Sequence, residues 1–476
     1  MNKMKKLYII MLLVLTGTMA MAQTSVWDGK RAIWTRGEGT EENPFLIESA
    51  QNLAYLAFVV NKGYTLEGLY FRLTTDIDLN GSEDQQWMPI GMSGLWFSED
   101  GCVRKVQGWG FNAQNYFRGH FDGGEHSISN LYIDNTDGIF GSNIGLFGNV
   151  MGNAEGDEIE PAVVENVFVT SGYLKGSSSA GGIVGKAGRA MVSRCWNGAT
   201  IEGTGSSSQE GSGGIVGMAD VDLQVRKCYN KGEISGYNVA GIVGYGSADI
   251  SECYNEGDIT GVFAGGIYGF SQMRPVTINN CYNIGSVSAI DGPVLGSFPA
   301  GPAAGGISSF HFRGNTSISN CYNVGAVSSV KDAGCILAYG PETTLENNYY
   351  IATCDAGGEG EPMTEEYMQS QAFVDFLNSL GTGQEWVLDV NNTNGGFPIL
   401  ANIDLAVGES SELQFAVYPN PAQGQFVVEG TGIVRIINMM GQVVETREID
   451  GRQTFTLSKG LYFVTLNGQT AKVVVE

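Results

Sequence analysis

Two short phrases alternate through the middle of this 476-residue chain, and they restrict its fold more than any other feature. The first is a glycine-flanked apolar tetrad: "GGIVG" (181–185), "GGIVG" (213–217), "AGIVG" (240–244), "GGIYG" (265–269) and "GGISS" (305–309). A decayed form, "GCILA", stands at 334–338, and "IGLFG" at 144–148 reads as an earlier member. Starts from 181 onward are separated by 32, 27, 25, 40 and 29 residues. About ten residues after each tetrad comes the second phrase: "CWNGATIEG", "CYNKGEISG", "CYNEGDITG", "CYNIGSVSA", "CYNVGAVSS". Its last copy is "NNYY" at 347–350, where the cysteine is lost.

The shortest unit, "AGIVGYGSADISECYNEGDITGVF", shows the plan. Its apolar runs are short, rich in Ile and Val, and broken by Gly, Asn, Asp or Ser, which marks strands and turns. Three short strands in about 25 residues make one triangular coil of a β-solenoid, which buries its inward face only by stacking on neighbours. A propeller blade needs four strands and about 40–45 residues. The shortest interval leaves no room for one.

Stacked coils bring equivalent residues about 4.8 Å apart, so identical residues form ladders. One ladder is Cys195, Cys228, Cys253, Cys281 and Cys321; another is Asn197, Asn230, Asn255, Asn283 and Asn323. Asn amides bond to those above and below, and Tyr and Trp rings stack along the axis. The repeat glycines Gly182, Gly214, Gly241, Gly266 and Gly306 are expected in turn conformations that a Cβ forbids. The same phrase also reads as a thiolate metal cassette. Against that, Cys-x-x-Cys pairs are absent and the chain has only His120, His126 and His311, whereas structural zinc takes four clustered ligands. No metal or cofactor is expected. Parallel Cβ atoms about 4.8 Å apart exceed the roughly 3.5–4.5 Å of a disulfide, so the ladder cysteines are expected to be mostly free and buried.

The alternation "GGIVG…SECYNEGDITG" resembles the GLUG repeat family of adhesin-like surface proteins, over roughly 140–350. The resemblance implies a right-handed β-solenoid and an extracellular life. It implies no peptidase activity, because the His-Glu-x-x-His motif of metallopeptidases found beside some such repeats is absent here.

An open coil is a sheet edge that needs covering. Upstream, "ESAQNLAYLAFVVNKGY" offers Ser49 as a helix N-cap, apolar residues at helical spacing, and Gly63 as a stop. Residues 23–140 therefore read as an N-terminal cap with the first coils, and 141–355 as the GLUG-like repeats. Downstream, "MTEEYMQSQAFVDFLNSLG" predicts one or two short helices within a C-terminal cap at 356–405, with a linker at 406–412.

Residues 413–476 carry five basic and five acidic groups, so the whole net negative charge lies upstream. Short alternating strands separated by Gly-containing turns predict a small antiparallel sandwich. The phrases "YPNPAQGQFVVE", "IINMMGQVV" and "LSKGLYFVTLNG…KVVV" are similar to the type A C-terminal sorting domain of the type IX secretion system. The matching positions are Tyr418, Pro419, Asn420, Pro421, Gly441, Gly460, Leu461 and Tyr462. This resemblance implies Sec export, recognition of the tail by the secretion machinery at the outer membrane, removal of the tail, and release or attachment to a surface lipopolysaccharide. The fold class expected for the whole is all-β: a right-handed parallel β-solenoid (β-helix) with short capping helices, followed by a small antiparallel β-sandwich.

The first 22 residues agree with that route. Lys3, Lys5 and Lys6, an apolar run and small residues up to Ala22 read as a signal peptide cleaved before Gln23. No later stretch is apolar enough to span a bilayer. Loss of the three lysines takes the net charge from −24 to −27, which disfavours nucleic acid as a partner.

Function divides two ways. The first reading is a non-enzymatic, adhesin-like binding protein, secreted or on the cell surface, that takes a glycan or host protein. Loops "GTGSSSQEGS" (203–212) and "IDGPVLGSFPAGPA" (290–303) lengthen two repeats and are its expected contact surface. The alternative is a carbohydrate-active lyase or hydrolase on a β-helix scaffold. Glycosidases use two carboxylates about 5–9.5 Å apart, but Asp76 and Asp78 read more simply as turn or ladder residues. No nucleophile, base and orienting group stand out as a set, so no catalytic residue is assigned.

Overall fold

The computed structural model describes residues 24–92, 95–97, 103–105, 115–155, 158–176, 178–205, 209–292, 301–381, 385–401, 415–419, 421–438, 443–466 and 469–475. The signal segment with its Ala22–Gln23 junction, the 406–412 linker, Asn420, Gly441 and positions 206–208 and 293–300 of the two long loops lie outside them. The described residues divide into two compact units: one runs through Glu385 but leaves out 369–371, and the other joins 369–371 to the chain from Trp386 onward.

In the shortest repeat, strands Val243–Ser251, Tyr254–Asn255 and Ile259–Gly265 follow one another around a single coil. Each pairs in parallel with its equivalent one coil on: Val243 with Tyr268, Ala248 with Val276, Tyr254 with Tyr282, Ile259 with Val287. Repetition builds three long parallel sheets of 11, 12 and 15 strands, the faces of a β-solenoid. The 11-stranded face runs from Ser25–Val26 to Glu361–Met363, roughly 50 Å at the usual strand spacing.

Alternation along each strand fills the interior with columns. Val164, Val192, Val225, Ile250, Ile278 and Ile318 stack in register, all buried. Ile201, Ile234, Ile259 and Val287 form a second column. No coil closes a core alone, so stability comes from the stack.

Helix α1 (Ala50–Asn61) covers the first coils. Ser49 accepts the Asn52 N–H at 3.2 Å, and Leu53, Leu56, Ala57 and Val60 are buried. At the other end lie α2 (Glu365–Met368) and α3 (Gln371–Leu380), with Phe373 and Phe376 of α3 edge-on to Tyr349 at 5.8 and 5.4 Å. A disulfide, Cys335–Cys354, ties the final coil. The sequence had suggested no partner for Cys335, because Cys354 lies outside both repeated phrases.

In the second unit, Gln425–Asn438 and Val443–Thr456 form a long antiparallel ribbon, with Ala416–Tyr418 and Gly460–Leu466 on the free edge of the first strand. Gln469–Val475 completes the five-stranded sheet. Gly430 pairs with Gly451 at mid-ribbon, and Gly432 and Gly451 have φ of 136° and 88°, a conformation glycine adopts at little cost. One core, including Phe426, Val434, Phe455 and Val464, draws on both halves, and Ala422 bridges to Val475.

Candidate functional site

The repeated phrase proves to be interior filling. Cys195, Cys228, Cys253, Cys281 and Cys321 are free and buried. Each Sγ donates to the carbonyl two residues before it at 3.1–3.3 Å. The N–H groups of Cys195, Cys228 and Cys253 each donate to the next cysteine's Sγ at 3.4 Å. Burial pushes the Cys195, Cys253 and Cys321 thiols well up, which keeps them protonated. Among the described residues no group of three or more His, Cys, Asp or Glu could hold a metal ion.

The five ladder asparagines are fully buried, and each amide is used on both sides. Nδ2 donates to the next asparagine's Oδ1 at 2.8 Å from Asn197 to Asn323, and to the carbonyl two residues on at 2.8–3.0 Å. Outside this column Trp196, Tyr229, Tyr254, Tyr282 and Tyr322 stack with centroids 4.7–5.4 Å apart and planes within 6°.

The repeat glycines differ from the expectation. None of Gly182, Gly214, Gly241, Gly266 and Gly306 has positive φ. A Cβ on each would collide with the ladder asparagine of its own coil: Asn197, Asn230, Asn255, Asn283 and Asn323 in turn. Close approach, not turn geometry, demands glycine here. The left-handed corner belongs instead to the residue before each cysteine: Arg194, Lys227, Glu252, Asn280 and Asn320, with φ of 51–54°.

The carboxylates weighed for catalysis are committed to neighbours. Asp76 accepts the Ser127 N–H at 2.8 Å and lies 3.3 Å from His126 Nδ1. Asp78 accepts the Asn80 N–H and Asn130 Nδ2 at 2.7 and 2.8 Å. His120 stacks on Tyr70 at 4.2 Å, and His311 is buried between Ser308 Oγ and Thr316 Oγ1 at 2.7 and 3.1 Å. The described ends of the long loops are drawn onto the coils. Thr204 Oγ1 donates to Gly176 O, Asn238 Nδ2 donates to Glu210 O, and Ala303 and Ala304 are buried.

A cleft of about 260 Å³ lies in the N-terminal cap, lined by Trp27, Gly29, Arg31, Ala54, Ala57, Phe58, Gln86, Trp87, Met88 and Phe140. Trp27 and Trp87 meet edge to face at 5.5 Å. Both indole N–H groups are spent internally, on Lys30 O (2.8 Å) and Leu146 O (3.1 Å), and both rings are buried, so they form the floor of the cleft and offer no donors. Ala54, Ala57 and Phe58 share one face of α1, where three- and four-residue spacing brings side chains together. The Arg31 guanidinium rests 4.0 Å from the Phe58 ring centroid. Gln86 Oε1 accepts the Asp134 N–H at 2.8 Å, which fixes its amide. Sequence patterns had not joined these residues. They sit up to 113 positions apart in a cap that belongs to no repeat, so no sequence signal joined them.

Of the sorting-motif positions, Tyr418 OH donates to Glu429 Oε2 at 2.7 Å, and Glu429 pairs with Arg452 at 2.9 Å. Pro419 follows Tyr418 through a cis peptide bond, and Pro421 is exposed. Gly460 opens a strand, Leu461 pairs with Val474, and buried Tyr462 donates to Ser458 O at 3.0 Å. Tyr418 and Tyr462 flank opposite ends of Gln425–Asn438.

Residues 416–476 match the secretion system C-terminal sorting domain. Export by type IX secretion follows, and the protein's destination is outside the cell, secreted or at its surface. No helix among the described residues is long and apolar enough to cross a membrane. A protein named as a Gly-rich membrane protein, from Evansella cellulosilytica, is 33% identical over 153 residues, covering 32% of this chain and 14% of that protein. Halomucin of Haloquadratum walsbyi is 26% identical over 208 residues, covering 43% of this chain and 2% of that protein. The chain thus spans a small fraction of the curated relatives it matches.

Proposed function

We propose that this chain is a non-enzymatic, adhesin-like binding protein built on GLUG-type repeats, carried out by its tail to meet a glycan or a host protein. One observation carries the reading: a sorting domain is joined to a solenoid whose conspicuous Cys, Asn and Tyr residues are spent on packing. What such a chain has left to offer outward is surface. Short polar side chains repeat along the strands, as in Thr277, Ser317 and Thr344, and the aromatic cleft opens in the cap. Surface lipopolysaccharide is the proposed point of attachment.

Two experiments test this. Deleting 416–476 is expected to leave a folded passenger in the periplasm; normal surface delivery without the tail would refute the export route. Purified full chain on a glycan and host-protein array is expected to bind without altering what it binds. Cleavage of an arrayed glycan would overturn the non-enzymatic reading in favour of the lyase or hydrolase.

A further inference from the structure

We infer that the N-terminal cleft binds a carboxylated sugar, a uronic or nonulosonic acid at the end of a glycan. The inference rests on the binding reading above and names its site. Three features of the cleft converge on that chemistry.

The half-buried Phe58 and Phe140 rings give it aromatic walls, backed by the buried Trp27 and Trp87, a surface against which the C–H face of a sugar ring packs. Arg31 stands at the wall over Phe58, and no carboxylate pairs with it among the described residues. Lys62 Nζ lies 5.4 Å from the same ring, so two cations gather at Phe58 in a chain of net charge −24. A guanidinium is a fork that takes a carboxylate by two parallel hydrogen bonds, and stacking on a ring pre-organises it. The third feature is Gln86. Its Oε1 is held by the Asp134 N–H, while its Nε2 has no protein partner among the described residues and is free to donate to a hydroxyl.

The rival occupant is a peptide ending in an aromatic residue, whose ring and terminal carboxylate would meet the same walls and the same arginine. Size and edge pairing favour the sugar. At about 260 Å³ the cleft falls just below the roughly 300–1,000 Å³ typical of ligand pockets, room for one ring. On the adjoining edge strand Ser25–Val26 the Val26 carbonyl is already taken by Gln51 Nε2 at 3.4 Å, which hinders a peptide from adding alongside it.

The test is calorimetric titration of the purified full chain with sialyllactose, a glucuronate-ended oligosaccharide, the methyl esters of both, lactose, and a peptide with C-terminal phenylalanine. The acidic sugars are expected to bind, and esterification to weaken them about tenfold or more, as loss of a charged bidentate contact does. Arg31→Gln should reproduce that loss with an unchanged Tm, since Arg31 is exposed, and Arg31→Lys should recover part of it. Equal binding of acid and ester, undiminished binding by Arg31→Gln, binding of the peptide alone, or no binding up to about 10 mM would each overturn the assignment. If an array ligand still binds both wild type and Arg31→Gln equally, the adhesin reading survives and only the cleft assignment falls.

Discussion

The five coils from Cys195 to Asn323 and the coils on either side of them share one backbone plan and fill it differently. Through the 11-stranded face runs one column: Ile77, Ile128 and Val169, then Asn197, Asn230, Asn255, Asn283 and Asn323, then Tyr350. Where the column is asparagine, the facing position in the tetrad is glycine. Where it is Val169, Leu146 lies in the tetrad beside Gly182; where it is Tyr350, Cys335 lies beside Gly306. The two positions change together. An apolar column only has to fill space, whereas an amide column has to keep every donor opposite an acceptor, because an unpaired buried polar group costs about 1–3 kcal/mol. Glycine supplies the room that lets the amide lie flat between coils. The two repeated phrases are therefore two halves of one contact.

Breaking that contact should give the largest effect. Gly241→Ala places a methyl against the Asn255 amide and the Gly266 carbonyl, both held by neighbouring coils. Overpacking combined with disturbed amide bonds predicts a loss of about 3 kcal/mol in urea unfolding. A loss below about 1 kcal/mol would mean that the coil yields, and that glycine and asparagine are not a unit.

The coil that carries the 290–303 insertion sharpens the comparison through pH. Its His311 stacks on Tyr268 and is buried; desolvation lowers its pKa from 6.5 to about 3. The folded state thus binds the proton more weakly than the unfolded chain. Stability from this group is complete above about pH 6.5 and falls as pH drops towards 3, by up to about 1.4 kcal/mol per unit. Between pH 6.5 and 4.5 that predicts a loss of roughly 2–3 kcal/mol, and His311→Gln should flatten the slope. An unchanged slope in the variant would assign the acid sensitivity elsewhere.

Within the asparagine column, position should set the cost. Asn255→Leu strands a donor on Asn230, an acceptor on Asn283 and the Gly257 carbonyl, and should cost about 2 kcal/mol. Asn197→Leu sits against Val169, leaves Asn230 Oδ1 with the Gly232 N–H, and strands only the Ala199 N–H and carbonyl, so about 1 kcal/mol is expected. Equal losses, measured by denaturant unfolding, would mean that the ladder is not cooperative along its length.

Legibility from sequence followed the same division. Repetition exposed the solenoid, because each coil must solve the same packing problem, and the Asn, Cys and Tyr columns follow from stacking alone. Ser49 and Gly63 bracketed α1 because capping is local. The role of the repeat glycines was not legible: Gly241 and Asn255 are 14 residues apart, and their collision exists only once the coil closes. The cleft was harder still. Trp27, Phe58, Trp87 and Phe140 meet through a non-repeating cap, where no second copy reveals which residues are neighbours.

The smallest effect concerns the corner before each cysteine, where backbone and side chain disagree. Asn280 and Asn320, and Asn166 and Asn347 at the corresponding corners of coils that lack the cysteine, hold the left-handed conformation with a residue that tolerates it, but Arg194 takes the same corner at φ 51°. A Cβ-bearing residue pays roughly 1–2 kcal/mol there, and Asn recovers part of that by local hydrogen bonding. The Arg194 side chain is exposed, and its N–H bond to Arg226 O at 3.0 Å belongs to the backbone and survives substitution. Arg194→Asn should therefore stabilise the protein by about 0.5 kcal/mol, seen as a higher urea midpoint with an unchanged m-value. Asn280→Arg, the reverse change at the equivalent corner, should destabilise by a similar amount or more, since the Asn280 side chain is also buried. If both variants lower stability, the arginine is held by contacts other than its backbone, and the corners are not equivalent from coil to coil.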